Sequence, residues 1–300
     1  MKNAQALQFT TSGNATISIK GNSNNVSLEY SYDDIDWSEW DLSALTINQD
    51  DTLYVRGNNP DGLSHDNEDT DEFYTFIIEG DKVSCLGNIM SLIDYKNLPD
   101  VIPCDYCFYK LFSECTALTT APELPAKTLA DSCYESMFSG CTALTTAPAL
   151  PATKLAVWCY NKMFNSCSSL TTAPELSAID LADYCYYQMF LSCTSLTSAP
   201  ELPAKTLADY CYAFMFSGCT ALKTAPELPA MTLAESCYGG MFSSCSSLTT
   251  APELPAMKLA NRCYAYMFEN CTSLTAKPEL PATELATDCY LGMFDGTSLG

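Results

Sequence analysis

The residues with the clearest potential for chemistry are the 17 cysteines, most of which recur at a fixed step. One series advances by 26 residues: Cys107, Cys133, Cys159, Cys185, Cys211, Cys237, Cys263 and Cys289. A second series follows eight residues behind it: Cys115, Cys141, Cys167, Cys193, Cys219, Cys245 and Cys271. Thiols can pair as disulfides, ligate metals or fill an apolar core as small hydrophobic side chains.

The expected geometry favours buried, reduced thiols over a disulfide framework. An odd number of cysteines excludes complete internal pairing. Cysteines eight apart on one short helix, or on neighbouring helices, lie beyond the ~7 Å reach of a disulfide between α-carbons. Two alternatives stay open: a local disulfide among Cys85, Cys104 and Cys107, and a metal site on the C-x-x-C of Cys104 and Cys107. Zinc prefers a second such pair, which the sequence lacks, so we expect no metal and no cofactor.

Catalytic chemistry has little support elsewhere in the chain. His65 is the single histidine and lies in a polar, acidic, loop-like stretch. Nucleophilic catalysis needs a nucleophile, a base and an orienting group. No nucleophile-elbow, phosphate-loop or zinc-protease pattern occurs. We therefore expect no catalytic residues and no enzymatic activity.

A recurring glutamate is the strongest candidate for binding. It occurs at Glu123, Glu175, Glu201, Glu227, Glu253 and Glu279, with Ala149 in the one gap. Units stacked in register would place these carboxylates about 5 Å apart. Catalytic carboxylate pairs need two distinct environments, whereas this column repeats one. It is either a solvated stripe, with side chains capping backbone N–H groups, or a surface that binds cations or a partner.

The first 89 residues offer two further candidates. Trp37, Trp40, Tyr30 and Tyr32 alternate with acidic residues. Aromatic faces beside carboxylates can bind sugars, although aromatic residues of strands also belong to cores. We retain Trp37 and Trp40 as candidate sugar-binding residues.

Acidic clusters at residues 33–41 and 66–72 could bind calcium. An EF-hand is excluded, because Glu39 stands where the loop needs glycine and Leu45 where it needs glutamate. A calcium site of another type remains an alternative.

The 26-residue step predicts an array of repeats, since fixed self-similarity in this range is typical of stacked architectures. Before the array, short runs such as LQFTT, ATISIK and TLYVRG alternate apolar and polar residues, which indicates antiparallel strands. The sequence thus predicts a β-sandwich leader domain at residues 1–89 and a repeat domain of eight units at residues 90–300.

Each unit is expected to contain an extended segment, a turn and a short helix. In the unit at residues 118–143, the prolines of LTTAPELPA argue against a helix in that half. Apolar residues at steps of four then predict a helix of nine or ten residues. The predicted core residues are Cys133, Tyr134, Met137, Phe138, Cys141, Phe164, Phe190, Phe216, Phe242 and Phe268. The predicted fold class is α+β, with a curved solenoid whose extended face is concave.

The unit L-x-x-A-P-E-L-P-A-x-x-L-A-x-x-C-Y-x-x-M-F-x-x-C resembles the BspA-like leucine-rich repeat of bacterial surface proteins. Leu118, Leu129, Phe138 and Cys141 stand where that family has its leucine-type anchors and its phenylalanine–cysteine pair. The resemblance covers about two-thirds of the chain, and the preceding stretch resembles the β-rich leader attached to such repeats. It implies a leucine-rich-repeat solenoid in an exported, surface-associated protein that binds other macromolecules.

Charge narrows the range of partners. The formal net charge of −22 repels phosphate backbones and anionic bilayers, so we expect no nucleic-acid partner. No run approaches 18 apolar residues, so no membrane insertion is expected. The first residues lack the apolar region of a signal peptide. The leading hypothesis is a secreted or cell-surface adhesion protein that binds a host or bacterial protein or glycan through the extended face. The alternative is a carbohydrate-binding module at residues 1–89, with the array as spacer.

Overall fold

The computed structural model describes residues 5–21, 26–67 and 70–299. Regular secondary structure is almost entirely β. The strands are β1 (Leu7–Thr11), β2 (Ala15–Gly21), β3 (Leu28–Ser31), β4 (Ser38–Glu39), β5 (Leu45–Ile47), β6 (Thr52–Gly57), β7 (His65–Asn67), β8 (Thr70–Glu72), β9 (Tyr74–Gly80), β10 (Val83–Leu86) and β11 (Leu118–Thr120). One 3-10 turn covers Ile89–Leu92, and Asn88 caps it by accepting from the Met90 N–H.

The alternating runs of the first 89 residues form strands. In β2, Ala15, Ile17 and Ile19 are buried while the residues between them are not, as a half-buried strand requires. One sheet has the order β11-β10-β1-β6-β3-β4, a second has the order β5-β2-β9, and β7 pairs with β8. Phe9 of the first sheet packs on Phe76 of the second, with ring centroids 5.3 Å apart.

The first sheet and the apolar core both extend past residue 89. Strand β11 lies inside the repeats, yet it pairs in parallel with β10. Phe76 stacks on Phe112 at 4.8 Å with nearly parallel rings. The first apolar rings of the repeats are therefore covered by the second sheet of the leader.

The predicted α+β fold, a leucine-rich-repeat solenoid with short helices, is wrong. No α-helix occurs in the described part of the chain, and the segment predicted as a helix in each unit is a run of consecutive β-turns. In the unit at residues 118–143, Cys133, Met137 and Cys141 each donate their N–H to the carbonyl three residues earlier. Glu135 and Ser139 do the same, so turn bonds recur every two residues, while positive φ recurs every four, at Ser132, Ser136 and Gly140. This four-residue pattern places side chains at i, i+4 and i+8 on one side and imitates a helical stripe.

The intervening N–H groups bond to the next unit, which explains why the helix does not form. Tyr134, Ser136 and Phe138 donate to carbonyls 25 residues further on, at 2.8 to 3.1 Å. An α-helix would satisfy these groups internally, but a helix of about ten residues is marginal in water. The turns leave alternate N–H groups available to bond to the neighbouring unit, so the backbone of this segment is satisfied in both directions.

The units between residues 101 and 299, which we call the repeat stack, are aligned in register. Tyrosines 26 residues apart stack ring on ring, as do the phenylalanines, with centroids 5.6 to 5.9 Å apart in both columns. All ten predicted core residues, from Cys133 to Phe268, are at most 1% exposed. Because one unit covers the rings of the next, the core of each unit is completed by its neighbours.

Candidate functional site

Each of the six recurring glutamates lies on the extended segment of its own unit, and β-bridges to neighbouring units hold the backbone near both ends of these segments. Near one end, parallel bridges join Thr120 to Thr146 and Thr146 to Thr172. Near the other end, bridges such as Thr206 to Thr232 link neighbouring units. Between them the side chains alternate: glutamate and the second proline point outward, while the following leucine and alanine are buried in the units before the last. Every one of the six glutamates is therefore exposed.

Glutamate and proline together form a row of grooves, which we call the proline–glutamate face. One groove of about 330 Å³ lies between Pro200–Pro203 and Pro226–Pro229, with Glu201 and Glu227 in its walls. The next groove, of about 380 Å³, repeats this arrangement with Glu227 and Glu253. The Pro-Glu-Leu-Pro segment at residues 226–229 thus contributes to both grooves, which repeat at the step of the stack.

The proline–glutamate face is rigid and negatively charged. Proline fixes φ, so its groove walls need little ordering when a partner binds. Carboxylates repeated at about the 4.8 Å spacing of bridged strands repel one another, and a bound cationic group relieves that repulsion. Between Glu123 and Glu279, Ala149 is the one position of the column without a carboxylate. The arrangement suits a long, positively charged partner better than a single catalytic event.

The cysteines are free thiols, and 16 of the 17 are buried. Burial raises the pKa of Cys115, Cys185 and Cys193 to about 12, because the apolar surroundings disfavour the thiolate. Each cysteine of the second series donates its S–H to the backbone carbonyl of a phenylalanine at 3.0 to 3.1 Å. For Cys115 this phenylalanine is Phe76 of the leader, and for the others it lies in the preceding repeat. These thiols are hydrogen-bonded components of the core.

Cys104 and Cys107 are the exception. Cys104 occupies a position held by alanine in later units, such as Ala130, and it is only partly buried. A hydrogen bond from Cys107 lowers the pKa of Cys104, whereas burial raises that of Cys107. Gly62 of the leader lies against both sulfur atoms. Among the residues whose placement is described, no group of three metal-ligating side chains forms here or elsewhere.

The structure places the two leader tryptophans in different environments. Trp40 is buried at 5%, donates its indole N–H to the Ser43 carbonyl and packs against Phe76. Trp37 is half-buried, and the Arg56 guanidinium lies 3.8 Å from its ring centroid. Arg56 also bonds Glu29 at 2.7 Å. Trp40 is therefore a core residue, and one face of Trp37 is covered by a cation.

The acidic residues proposed for calcium have other bonds. Asp33 accepts from the N–H groups of Ile35 and Asp36 and from the Ser31 hydroxyl, and these bonds lower its pKa. Asp41 accepts from the Ser43 N–H in the same way. The second cluster, residues 66–72, falls at a stretch whose side chains lie outside the described part of the chain.

Sequence reasoning missed an aromatic ladder on the turn side of the unit. Trp158, Tyr184 and Tyr210 occupy one column at the 26-residue step and stack at 4.1 and 4.7 Å. Each has positive φ, between 55° and 58°, at the third position of a turn. The sequence did contain a signal: this position is aromatic in three successive units and serine in the unit before them and in the unit after them.

Comparison of the chain with protein-family models, with curated proteins and with solved structures finds no match. In the described residues, no helix has the length and apolar character needed to cross a bilayer. The function is therefore inferred from the geometry of the sites.

Proposed function

We propose that this protein is a non-enzymatic recognition protein of the cell surface or the secreted fraction, which binds an extended partner through the proline–glutamate face. The observation that carries the proposal is the repetition of one exposed groove, with proline walls and carboxylates, at two successive steps of the stack, within a column of six exposed glutamates. A repeated surface binds a long partner by many weak contacts, and linking such contacts raises the overall affinity.

The charge of the face favours a basic partner. The chain carries 36 acidic residues against 14 basic ones, and the six glutamates concentrate negative charge along one line. Complementary charge speeds encounter and selects among partners, and its effect falls with salt. Among protein and glycan candidates, this favours a lysine- or arginine-rich protein segment. The resemblance of the repeat to BspA-like surface proteins agrees with this role.

The proposal is tested by screening the full chain against immobilised extracellular proteins, basic peptides and glycans at ~0.15 M salt. The deciding variant is Glu201→Gln with Glu227→Gln and Glu253→Gln, which removes three charges from adjacent grooves. Its matched control removes three charges from exposed leader residues: Asp36→Asn, Glu39→Gln and Asp50→Asn. We expect a basic partner to be lost, at least tenfold in affinity, from the groove variant alone.

Two results would count against the proposal. Equal weakening in both variants would mean that net charge, rather than the proline–glutamate face, attracts the partner. Binding that survives the groove variant unchanged would locate recognition elsewhere on the chain.

A further inference from the structure

The aromatic ladder ends abruptly, and the position where it ends is open. Trp158, Tyr184 and Tyr210 stack in successive units, but Ser236 occupies the next position of the column. Among the described residues, no ring stacks on the second face of Tyr210. One unit further on, the same column holds Arg262.

A cavity of about 290 Å³ occupies this gap. Small residues form its floor: Gly239 lies beside Ser236, at the position that Tyr187 occupies in an earlier unit. Phe214 and Tyr266 line the cavity together with Tyr210 and Arg262. The volume lies just below the usual range for ligand cavities, ~300–1,000 Å³, and suits one ring rather than a large ligand.

The same column has a second serine, Ser132, but there polar side chains occupy the space beside it. Ser132 also stands where a ring could be, but the neighbouring Glu135 is partly buried and bonds both Ser132 and the Asn161 amide. The bond from Asn161 to Glu135 measures 2.8 Å. At Ser236 the equivalent neighbours are Gly239 and Ala265, which have no polar side chain to occupy the space.

The spacing of the column fits one inserted ring. Units bridged in parallel repeat at about 4.8 Å, so the positions of Tyr210 and Arg262, two units apart in this column, are separated by roughly 10 Å. A planar ring midway would stack on Tyr210 at a distance similar to the 4.7 Å between Tyr184 and Tyr210. Its other face would meet the guanidinium, an arrangement favoured by cation–π attraction.

We propose that this gap is a binding site for a single aromatic side chain, tryptophan or tyrosine, presented by a polypeptide partner beside basic residues. We expect basic residues beside the ring because three carboxylates lie next to the cavity. Glu235 lies 3.4 Å from the Tyr210 hydroxyl, Asp288 pairs with Arg262 at 3.5 Å, and Asp209 is exposed. The apolar floor disfavours a sugar, whose hydroxyl groups would lose water without replacement. The site is independent of the proline–glutamate face.

The test uses the full chain and three probes: the peptide Gly-Lys-Trp-Lys-Gly, its Glu-Trp-Glu counterpart, and cellobiose. Binding is followed by ligand-observed NMR. We expect the lysine-flanked peptide to bind at least threefold more tightly than the glutamate-flanked one, and cellobiose not to bind. Tighter binding of cellobiose than of either peptide would overturn the assignment of an aromatic ring.

The deciding variant fills the gap from within the chain. Ser236→Trp places a ring at the turn position equivalent to that of Trp158, which adopts a similar positive φ (58° against 49° at Ser236), so the backbone tolerates it. We expect this variant, and Tyr210→Ala, to weaken peptide binding at least tenfold. Thr224→Trp, which adds a tryptophan at an exposed position on the threonine column, is the matched control and should leave binding unchanged. Near-ultraviolet circular dichroism checks that each variant is folded.

Two outcomes would overturn the site. Undiminished peptide binding by Ser236→Trp would show that the ring binds elsewhere. Failure of the unmodified chain to bind the lysine-flanked peptide at millimolar concentration would remove the proposal. If Ser236→Trp were unfolded, Tyr210→Ala would decide alone, because its side chain is only partly buried.

Discussion

The thiol of Cys141 donates a hydrogen bond to the backbone carbonyl of Phe112, 29 residues earlier, at 3.0 Å. The same carbonyl accepts the N–H of Cys115, which closes a turn in its own unit. In the described chain, no other backbone N–H donates to the Phe112 carbonyl, so the Cys141 thiol provides the hydrogen bond that links the two units at this point. This link recurs along the second cysteine series and accounts for a thiol at that position rather than an alanine.

Cys193→Ala tests the contribution of this bond. The substitution leaves the Phe164 carbonyl with only its turn bond and creates a small cavity. We expect the free energy of unfolding to fall by about 1–3 kcal/mol, measured by urea denaturation under reducing conditions. The exposed neighbour Thr194→Ala should change it by less than about 0.5 kcal/mol. Equal, small effects at both positions would mean that the thiol bond contributes nothing measurable.

Phe190→Ala tests the ring stack. Phe190 is fully buried and stacks at 5.6 Å on both Phe164 and Phe216, so removing it exposes the rings on either side. We expect a loss of about 3–5 kcal/mol in unfolding free energy. The end residue Phe294 is only half-buried and has one stacking neighbour, so Phe294→Ala should lose less than half as much. A loss below about 1 kcal/mol at Phe190 would contradict the stacked core.

Buried thiols make the fold sensitive to alkali. The pKa of an unfolded cysteine is about 8.5, whereas burial raises those of Cys185, Cys193 and Cys271 to about 12. Between these values the unfolded chain loses protons that the native chain retains, so stability is complete below about pH 8.5 and falls as pH rises. Each titrating thiol contributes up to about 1.4 kcal/mol per pH unit.

We expect the urea midpoint to fall steeply between about pH 8.5 and 9.5, in reducing buffer and at constant ionic strength. This window lies below the titration of ordinary tyrosines, near 10. Cys→Ala variants of one or two units would reduce the slope. A midpoint that is flat across this window would mean that the thiols titrate normally and are not enclosed.

Thiol reactivity separates Cys104 from the rest of the chain. Cys104 is the one cysteine that is not buried, and the bond from Cys107 lowers its pKa. Because the thiolate is the reactive form, iodoacetamide at pH 7.5 should modify one site rapidly in the native protein. Mass spectrometry should place it at Cys104, and Cys104→Ser should abolish the rapid phase. Denaturant without reductant should expose most of the 17 thiols, and two or fewer would overturn the reduced-thiol interpretation.

The period and the buried residues could be predicted from the sequence because both depend on side-chain type. A column of Tyr134 and Phe138 equivalents must be buried somewhere, and a fixed step of 26 places each beside its copy. The strands of the leader were predictable for the same reason, since alternation such as that of Ala15, Ile17 and Ile19 puts every apolar side chain on one face of a strand.

The turns could not be predicted by periodicity, because a four-residue turn repeat and an α-helix bring the same side chains together. The distinguishing evidence lay in the residues between them. Gly140, Gly218 and Gly296 recur at one position, with φ between 70° and 76°, and glycine is a poor helix former. The other units carry serine, asparagine or glutamate there, which hid the requirement for positive φ.

The cavity beside Ser236 could not be predicted from the sequence for a different reason. Ser236 and Gly239 are ordinary residues within their own unit, and their significance depends on Tyr210 and Arg262 in the neighbouring units. A pattern within one unit does not reveal a space between units. The glutamate series was predictable, whereas the proline walls that turn it into grooves required the structure.

Ser244→Gly tests the turn interpretation directly. Ser244 has φ of 63° at the position that glycine occupies in other units, and a left-handed conformation costs a non-glycine residue about 1–2 kcal/mol. The substitution should therefore raise the free energy of unfolding, by about 0.5–1 kcal/mol after the loss of side-chain contacts. The reverse change, Gly218→Ala, should lower it by about 1 kcal/mol; φ there is 72°, and an added Cβ would lie 3.2 Å from the Ser192 hydroxyl. An α-helix would give the opposite signs, since serine and alanine both exceed glycine in helix propensity. Urea denaturation of the two variants beside the unmodified chain distinguishes the turn from the helix by sign alone.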